Sequence, residues 1–208
     1  YSLYHQYTKN RDESYLEFLK FLKRINYYMN REILLVSGSN KKKNFEVLDV
    51  INQLRIEENL IVNLGIAYNP YLRKYFNNDQ ERERLEQKIS SGLVKSIWLQ
   101  FGTDMKSLEK EVEYLKRLIT KNSLSINYQN IKMHGSVLIP SKQFISRFKF
   151  RPWKGVYISD KYIDSLDKFN RFSIDLICFY LDNNIYPILE TEFSSSKKLQ
   201  DFYSLFQM

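Results

Sequence analysis

The sequence predicts an α/β fold in which the strands of a parallel sheet alternate with amphipathic helices. Residues 32–38 contain the continuous apolar run Ile33 to Val36 and end in small residues, as a strand buried on both faces does. Similar runs recur along the chain, separated by segments with apolar residues at helical spacing. These segments are too long for hairpins, so we expect parallel strands joined by right-handed crossovers.

Each element is predicted by its own pattern. Apolar runs predict strands at 32–38, 60–68, 94–101, 131–139 and 185–189. Apolar residues at helical spacing predict helices at 15–29, 45–54, 79–91, 104–118 and 162–181. Weaker signals predict a strand at 1–8, an N-cap at Asn10, a short extended segment at 156–158 and a polar tail with a candidate helix at 194–208. Five or six strands fit part of a (β/α)8 barrel or a doubly wound sheet.

Length and composition indicate one globular domain. The chain has 208 residues, of which 43% are hydrophobic and 27% charged. No apolar run reaches the roughly 18 residues that a membrane span needs. The first residue is Tyr1 rather than Met, which indicates a removed targeting segment or a start further upstream.

The formal net charge of +8 is compatible with nucleic acid, an anionic membrane face, an anionic ligand or simply a solvated basic surface. Lys41, Lys42 and Lys43 follow the first strand, and the simplest interpretation is a solvated loop. Three lysines alone are a weak RNA signal, since RNA binding needs several phosphate contacts over a surface.

The sequence contains few residues typical of metal or nucleophilic chemistry. The single cysteine, Cys178, excludes an internal disulfide and a multi-cysteine metal site, and its apolar helical setting predicts a buried thiol. His134 lies on an apolar strand and is expected to be a hydrogen-bonded structural residue, whereas His5 carries no argument. No Walker loop, zinc spacing, Ser-His-Asp order or acid/base carboxylate pair is present.

Several segments, taken in order, resemble the methylenetetrahydrofolate reductase family. They are Leu-Val-Ser-Gly-Ser at 35–39, Ile-Ala-Tyr-Asn-Pro at 66–70, a helix end with the following strand at 83–104, Val-Leu-Ile-Pro-Ser-Lys-Gln-Phe at 137–144 and Val-Tyr-Ile-Ser-Asp at 156–160. The resemblance covers residues 32–189 and implies an incomplete (β/α)8 TIM barrel over 1–193, followed by the tail 194–208. It implies that the first two strands of the barrel are absent and that 1–8 corresponds to the third.

The family transfers a hydride from a nicotinamide through FAD to a methylene-folate. By resemblance, Gly38, Ser39, Tyr68 and Lys88 would contact the flavin. Gln100 would contact the folate, and Phe144 would stack on it. FAD is therefore the expected cofactor if activity is retained, and no cofactor is expected otherwise.

The departures from the family pattern fall on the reaction itself. Ser39 replaces the Asp that tunes the flavin, Ser37 replaces a neighbouring Arg, and the family's His is missing near Leu72. The pocket-shaping tail has become residues 190–193, Glu-Thr-Glu-Phe. The general-acid Glu belongs to an early strand that this chain lacks, and without it protonation of the substrate would slow by about 10²–10⁴-fold. We therefore expect no catalytic residues in this chain.

The sequence therefore predicts a degenerate reductase-like barrel that serves as an accessory subunit of a larger, mitochondrial complex, with other chains covering its open sheet edges. A removed presequence would explain Tyr1. One alternative is an active FAD-dependent reductase, completed by residues not in this chain. The other is a basic RNA-binding module. A cytoplasmic location is the alternative to the mitochondrion.

Overall fold

A computed structural model describes residues 11–27, 32–36, 46–57, 62–72, 79–122, 130–153 and 155–191, together with residues 128, 196, 200 and 204. The predicted strand at 1–8, Asn10, the loop with Gly38 and Ser39, and Lys41 to Lys43 lie outside the described residues. Most of the predicted tail at 194–208 also lies outside them.

The described residues contain one sheet of five parallel strands. These are β1 (Glu32–Leu35), β2 (Asn63–Tyr68), β3 (Val94–Leu99), β4 (Lys132–Ile139) and β5 (Tyr186–Thr191). Their order in the sheet is β1-β2-β3-β4-β5, which is the order of the sequence, and every neighbouring pair is parallel. A doubly wound sheet reverses its strand order, whereas this sheet never does. The sheet curls into a half-barrel, compatible with an incomplete TIM-like barrel.

Seven helices accompany the strands in the described part of the chain. They are α1 (Arg11–Tyr27), α2 (Val47–Leu54), α3 (Asp79–Ser90), α4 (Met105–Lys121), α5 (Lys142–Phe150), α6 (Asp160–Ile163) and α7 (Leu166–Asp182). Side-chain caps fix where several of them begin, since Asp104 accepts a hydrogen bond from the Ser107 amide, Ser141 from that of Phe144 and Ser165 from that of Lys168.

One helix prediction needs correction, and one helix was missed. The helix predicted at 162–181 is confirmed from Leu166 onward, but its start is wrong, because α6 ends at Ile163 and Ser165 caps the separate helix α7. Helix α5 was not predicted. Its signals are the N-cap Ser141 and the apolar pair Phe144 and Phe148, which are four residues apart.

The prediction that Cys178 is buried is also wrong, because its side chain is exposed. The buried face of α7 carries Phe172, Leu176 and Tyr180. Cys178 lies two residues beyond Leu176, which rotates it about 200° away from that buried stripe. The apolar composition of α7 therefore gave the wrong burial for this position.

The two faces of the sheet differ in burial. The outer face packs on the helices, and its residues Leu35, Ile66 and Ile97 are completely buried. On the inner face, Leu34 and Val36 are only partly buried. The prediction that the first strand is buried on both faces is therefore wrong for its inner side, because no described element covers that side.

Gly135 on β4 allows α7 to approach the outer face of the sheet. A Cβ atom at this position would overlap the ring of Tyr180, which is completely buried. The contact between α7 and β4 therefore requires glycine, which has no side chain, at position 135.

We predict that Gly135→Ala lowers the free energy of unfolding by about 1–3 kcal/mol, because the added methyl group overpacks the contact with Tyr180. Urea denaturation measures the change. In a Tyr180→Leu background the same substitution should cost less, since the overlapping ring is gone. An equal cost in both backgrounds would contradict the assigned contact.

Candidate functional site

A cleft lies at the carboxyl ends of β1, β2 and β3, where parallel barrels bind their ligands. Its volume is about 670 Å³. Its walls come from the ends of these strands, from the start of α2, from one face of α3 and from the segment that follows α5. The lining residues with polar or charged side chains are Glu46, Asp49, Tyr68, Asn69, Glu81, Arg84, Lys88 and Gln100.

This cleft brings together three of the six residues predicted to bind cofactor or substrate. Tyr68, Lys88 and Gln100 all line it, although they come from a strand, a helix and the end of another strand. Gly38 and Ser39 are outside the described residues, so their predicted roles stay predictions.

Phe144 is not brought to the cleft. Its side chain is 2% exposed and belongs to an aromatic cluster. Its ring lies edge-on to Trp153 at 5.2 Å and close to Phe148 at 5.6 Å, measured between ring centroids. In this arrangement the ring offers no open face on which a folate could stack.

Tyr68 is positioned by a buried carboxylate. Its hydroxyl donates a hydrogen bond to Oε2 of Glu111 at 2.5 Å, and the Glu111 side chain is 1% exposed. Burial, reinforced by this hydrogen bond, raises the pKa of Tyr68 well above its ordinary value. Because the hydroxyl is engaged by α4, a ligand in the cleft would meet the ring or the backbone of Tyr68.

Arg82 completes this interaction from α3. Its Nη2 donates to Oε1 of Glu111 at 2.9 Å and its Nε to Oε2 at 3.2 Å. The guanidinium also lies 4.0 Å from the ring centroid of Tyr114, whose hydroxyl donates to Glu86 at 2.8 Å. These contacts join α3 to α4 and so hold the α3 wall of the cleft in place.

The charges of the cleft are mixed. Helix α3 places Glu81, Arg84 and Lys88 along one wall, and the Glu81 and Arg84 side chains approach to 4.0 Å. On the opposite wall, Glu46 and Asp49 form a capping box at the start of α2, in which the Glu46 amide donates to Oδ2 of Asp49 at 3.2 Å. Three of the carboxylates that line the cleft are therefore engaged in local structure.

The segment after α5 closes one side of the cleft. Asn69 Nδ2 donates to the carbonyl of Gly155 at 2.9 Å, and Tyr157 forms a parallel bridge with Gly102. The Ser159 amide donates to Oγ1 of Thr103 at 2.8 Å. The predicted short extended segment at 156–158 is confirmed, and its position at the rim is set by these three contacts.

The inner face of the sheet carries an aromatic ladder across β3, β4 and β5. His134 stacks on Trp98 with 4.5 Å between ring centroids and lies 5.5 Å from Tyr186. Burial lowers the pKa of His134. Its Nδ1 has no hydrogen-bond partner among the described residues, so ring stacking, and not the expected hydrogen bond at that atom, is what the structure shows.

Sequence reasoning missed the residue that organises the site. Glu111 lies on the buried stripe of α4, between Leu108 and Leu115, where an apolar residue is the usual choice. A carboxylate at such a position needs a partner, and this was the available signal. Its partners, Tyr68 and Arg82, belong to other elements and could not be identified from spacing.

Other kinds of site find no support in the described ranges. Among these residues no group of three or more His, Cys, Asp or Glu side chains is arranged to hold a metal ion. No helix that the structure describes has the length and apolarity to cross a membrane. Comparison with known proteins found no family model that matches the chain and no curated protein with a matching sequence.

We predict that Glu111→Gln lowers the free energy of unfolding by about 1–3 kcal/mol, because Arg82 loses its charged partner in a partly buried site. Chemical denaturation measures the change. Glu113→Gln on the same helix is the matched control, because its 75% exposed side chain meets Arg117 at 3.7 Å and should contribute under about 1 kcal/mol. Similar losses in both variants would remove the special role assigned to Glu111.

We also predict that the folded state loses stability as the pH rises above 10.0, the ordinary tyrosine pKa. The folded-state pKa of Tyr68 is raised, so its contribution is fully present below 10.0 and declines above it as the unfolded tyrosine ionises. Urea denaturation at a series of alkaline pH values gives the slope. Tyr68→Phe should show a shallower slope, and an unchanged slope would exclude Tyr68 as its source.

Proposed function

We propose that the chain is a divergent relative of the methylenetetrahydrofolate reductase family that has lost the reaction and serves as an accessory subunit of a larger assembly. The observation that carries the proposal is the incomplete cover of the sheet. The described residues form five parallel strands in sequential order, which is fewer than the eight strands that close a barrel.

The inner face supports the same proposal. Tyr186 of the aromatic ladder is 57% exposed, and Leu34 and Ile188 on neighbouring parts of this face are partly exposed. A closed barrel fills its interior with side chains from all of its strands. Further strands would bury these side chains, and in an assembly a neighbouring chain supplies them.

The chemistry of the cleft favours a non-catalytic role. Glu46 and Asp49 satisfy the first turn of α2, and Glu81 lies against Arg84, so these three carboxylates have structural interactions. In the sequence, Ser39 replaces the Asp that tunes the flavin in the family that the chain resembles. A hydroxyl in place of that carboxylate cannot supply its negative charge.

A second candidate is retained flavin binding, with or without reductase activity. The observation in its favour is that Tyr68, Lys88 and Gln100 line one cleft. A volume of about 670 Å³ lies within the roughly 300–1,000 Å³ of ordinary ligand sites. The RNA-binding alternative and the mitochondrial or cytoplasmic location have no comparable observation and stay predictions.

Flavin binding tests the second candidate. Under our proposal the purified chain carries no flavin absorbance and oxidises no NAD(P)H in the presence of added FAD, and measured reductase activity would overturn it. If FAD binds in the cleft, Lys88→Ala should weaken the affinity about tenfold or more, because a charged hydrogen bond is lost. Lys106→Ala, on the exposed side of α4, is the control and should leave the affinity unchanged.

Assembly through the inner face gives a further prediction. The tagged chain in its native cells should migrate as a complex with a mass well above the 25.1 kDa of the monomer. Tyr186→Lys should lower the apparent mass towards that of the monomer. The added charge would have to be buried beneath the covering strands. Leu16→Lys is the matched control, because Leu16 is 56% exposed but lies on α1, away from the sheet. A monomeric wild type, or equal effects of both changes, would count against the proposal.

A further inference from the structure

Helix α7 carries apolar side chains on the side that faces away from the sheet. Ile174, Cys178 and Leu181 follow one another at spacings of four and three residues, so they lie on one face of the helix. Cys178 is exposed, the Leu181 side chain is 59% exposed and Ile174 is partly buried. We call these three residues the α7 stripe. On α4, by contrast, the exposed residues are all polar or charged, namely Lys106, Glu109, Lys110, Glu113, Arg117, Thr120 and Lys121.

The opposite face of α7 fixes the orientation of the stripe. Leu176 and Tyr180 are completely buried, and the ring of Tyr180 occupies the space that a side chain at Gly135 would fill. At the end of the helix, Asn183 accepts a hydrogen bond from Nζ of Lys116 at 2.7 Å. The helix therefore cannot rotate to bury the stripe, and this apolar surface is available to something outside the chain.

The charges beside the stripe change sign along the helix. Lys168 and Arg171 lie towards its N-terminal end, and Asp175 and Asp182 lie towards its C-terminal end. All four side chains are exposed, and none of them forms an ion pair in the described part of the chain. Asp167 departs from this order, but it lies in the first turn, where a negative charge offsets the helix dipole. One half of the exposed face is therefore net positive and the other net negative.

A second α7 in antiparallel orientation matches this arrangement. If a two-fold axis passes between positions 176 and 177, Arg171 and Asp182 each lie about 8 Å along the helix from that axis. Arg171 of each copy then lies opposite Asp182 of the other, and the two stripes meet between these pairs. The two Asp175 side chains repel each other near the axis, but two attractive contacts outweigh this one repulsion. Parallel pairing would instead place like charges together.

We propose that the α7 stripe docks on the same stripe of a second copy of this chain, in antiparallel orientation, and forms a weak homodimer. A second copy is favoured over an unrelated partner because the charges at the two ends of the stripe complement each other. One helix face buries less than the roughly 1,200–2,000 Å² of a stable interface, so the dimer forms only at high concentration. It uses the outer side of the half-barrel and is independent of the proposed cover of the inner face.

Sedimentation equilibrium of the purified full chain tests the dimer. The mass should rise from the 25.1 kDa of the monomer towards twice that value between micromolar and millimolar concentrations. A short bis-maleimide should join two chains through Cys178, the single cysteine of the sequence. Leu181→Asp should weaken the dimer at least tenfold and lower the cross-linked yield, because the added charge would be buried. Ile56→Asp is the matched control, since Ile56 is 79% exposed and follows α2. A monomer at every concentration, or equal effects of both variants, would overturn the proposal.

Charge reversal tests the orientation. Arg171→Asp and Asp182→Arg should each weaken the dimer about tenfold, because two attractive contacts become repulsive, and the double variant should restore it. None of these variants should lower the temperature of thermal unfolding, since both side chains are exposed. Tyr186→Lys should leave this dimer intact, which separates it from assembly through the inner face. Loss without rescue in the double variant would refute the antiparallel pairing. A monomeric chain whose Leu181→Asp variant leaves the native complex would assign the stripe to another protein and overturn the proposal of a second copy.

Discussion

The carboxylate of Glu111 lies between the hydroxyl of Tyr68 and the guanidinium of Arg82, and the geometry of the cleft depends on these contacts. They join a strand to two helices, so that α3 is held at a fixed distance from the sheet. Since α3 provides the wall with Arg84 and Lys88, the positions of these cations depend on a buried charge that no ligand would touch. Without both partners, the buried carboxylate would raise the free energy of the folded state. The two contacts therefore favour this arrangement of the strand and the two helices over others.

The half-barrel is built asymmetrically. Parallel strands in sequential order are joined by crossovers that by rule share one hand and so place their helices on the same face, and the described residues of that face are well packed. In the described part of the chain, the other face carries the stacked rings of Trp98 and His134, and Tyr186 beside them is 57% exposed. The exposure of Tyr186 on this face is the basis for proposing a covering partner.

The aromatic residues are used in two different ways. In the cluster of Phe144, Phe148 and Phe169, the rings pack edge-on or tilted against one another and fix α5 and α7 at the end of β4. Phe150 takes no part in this packing. The same short helix therefore seals the core with one face and leaves the ring of Phe150 exposed on the other.

The sequence by itself determined the alternation and the parallel direction of the strands, because apolar runs and helical periodicity are local properties. The five strands predicted from apolar runs are all found, and the positions of Tyr68, Lys88 and Gln100 at one edge follow from strand ends and helix spacing. Local patterns also misled, since the apolar stretch around Cys178 suggested burial and the apolar stretch at 162–181 concealed the Ser165 cap.

Only the tertiary structure decided which side chains meet. The strand order excluded the doubly wound alternative, packing enclosed Phe144 in the core, and Glu111 found partners 43 and 29 residues away in the chain. Contacts over such separations depend on the relative placement of whole elements. Periodicity reports only the environment that each element prefers, so it could indicate that Glu111 needed a partner without indicating which residues would provide one.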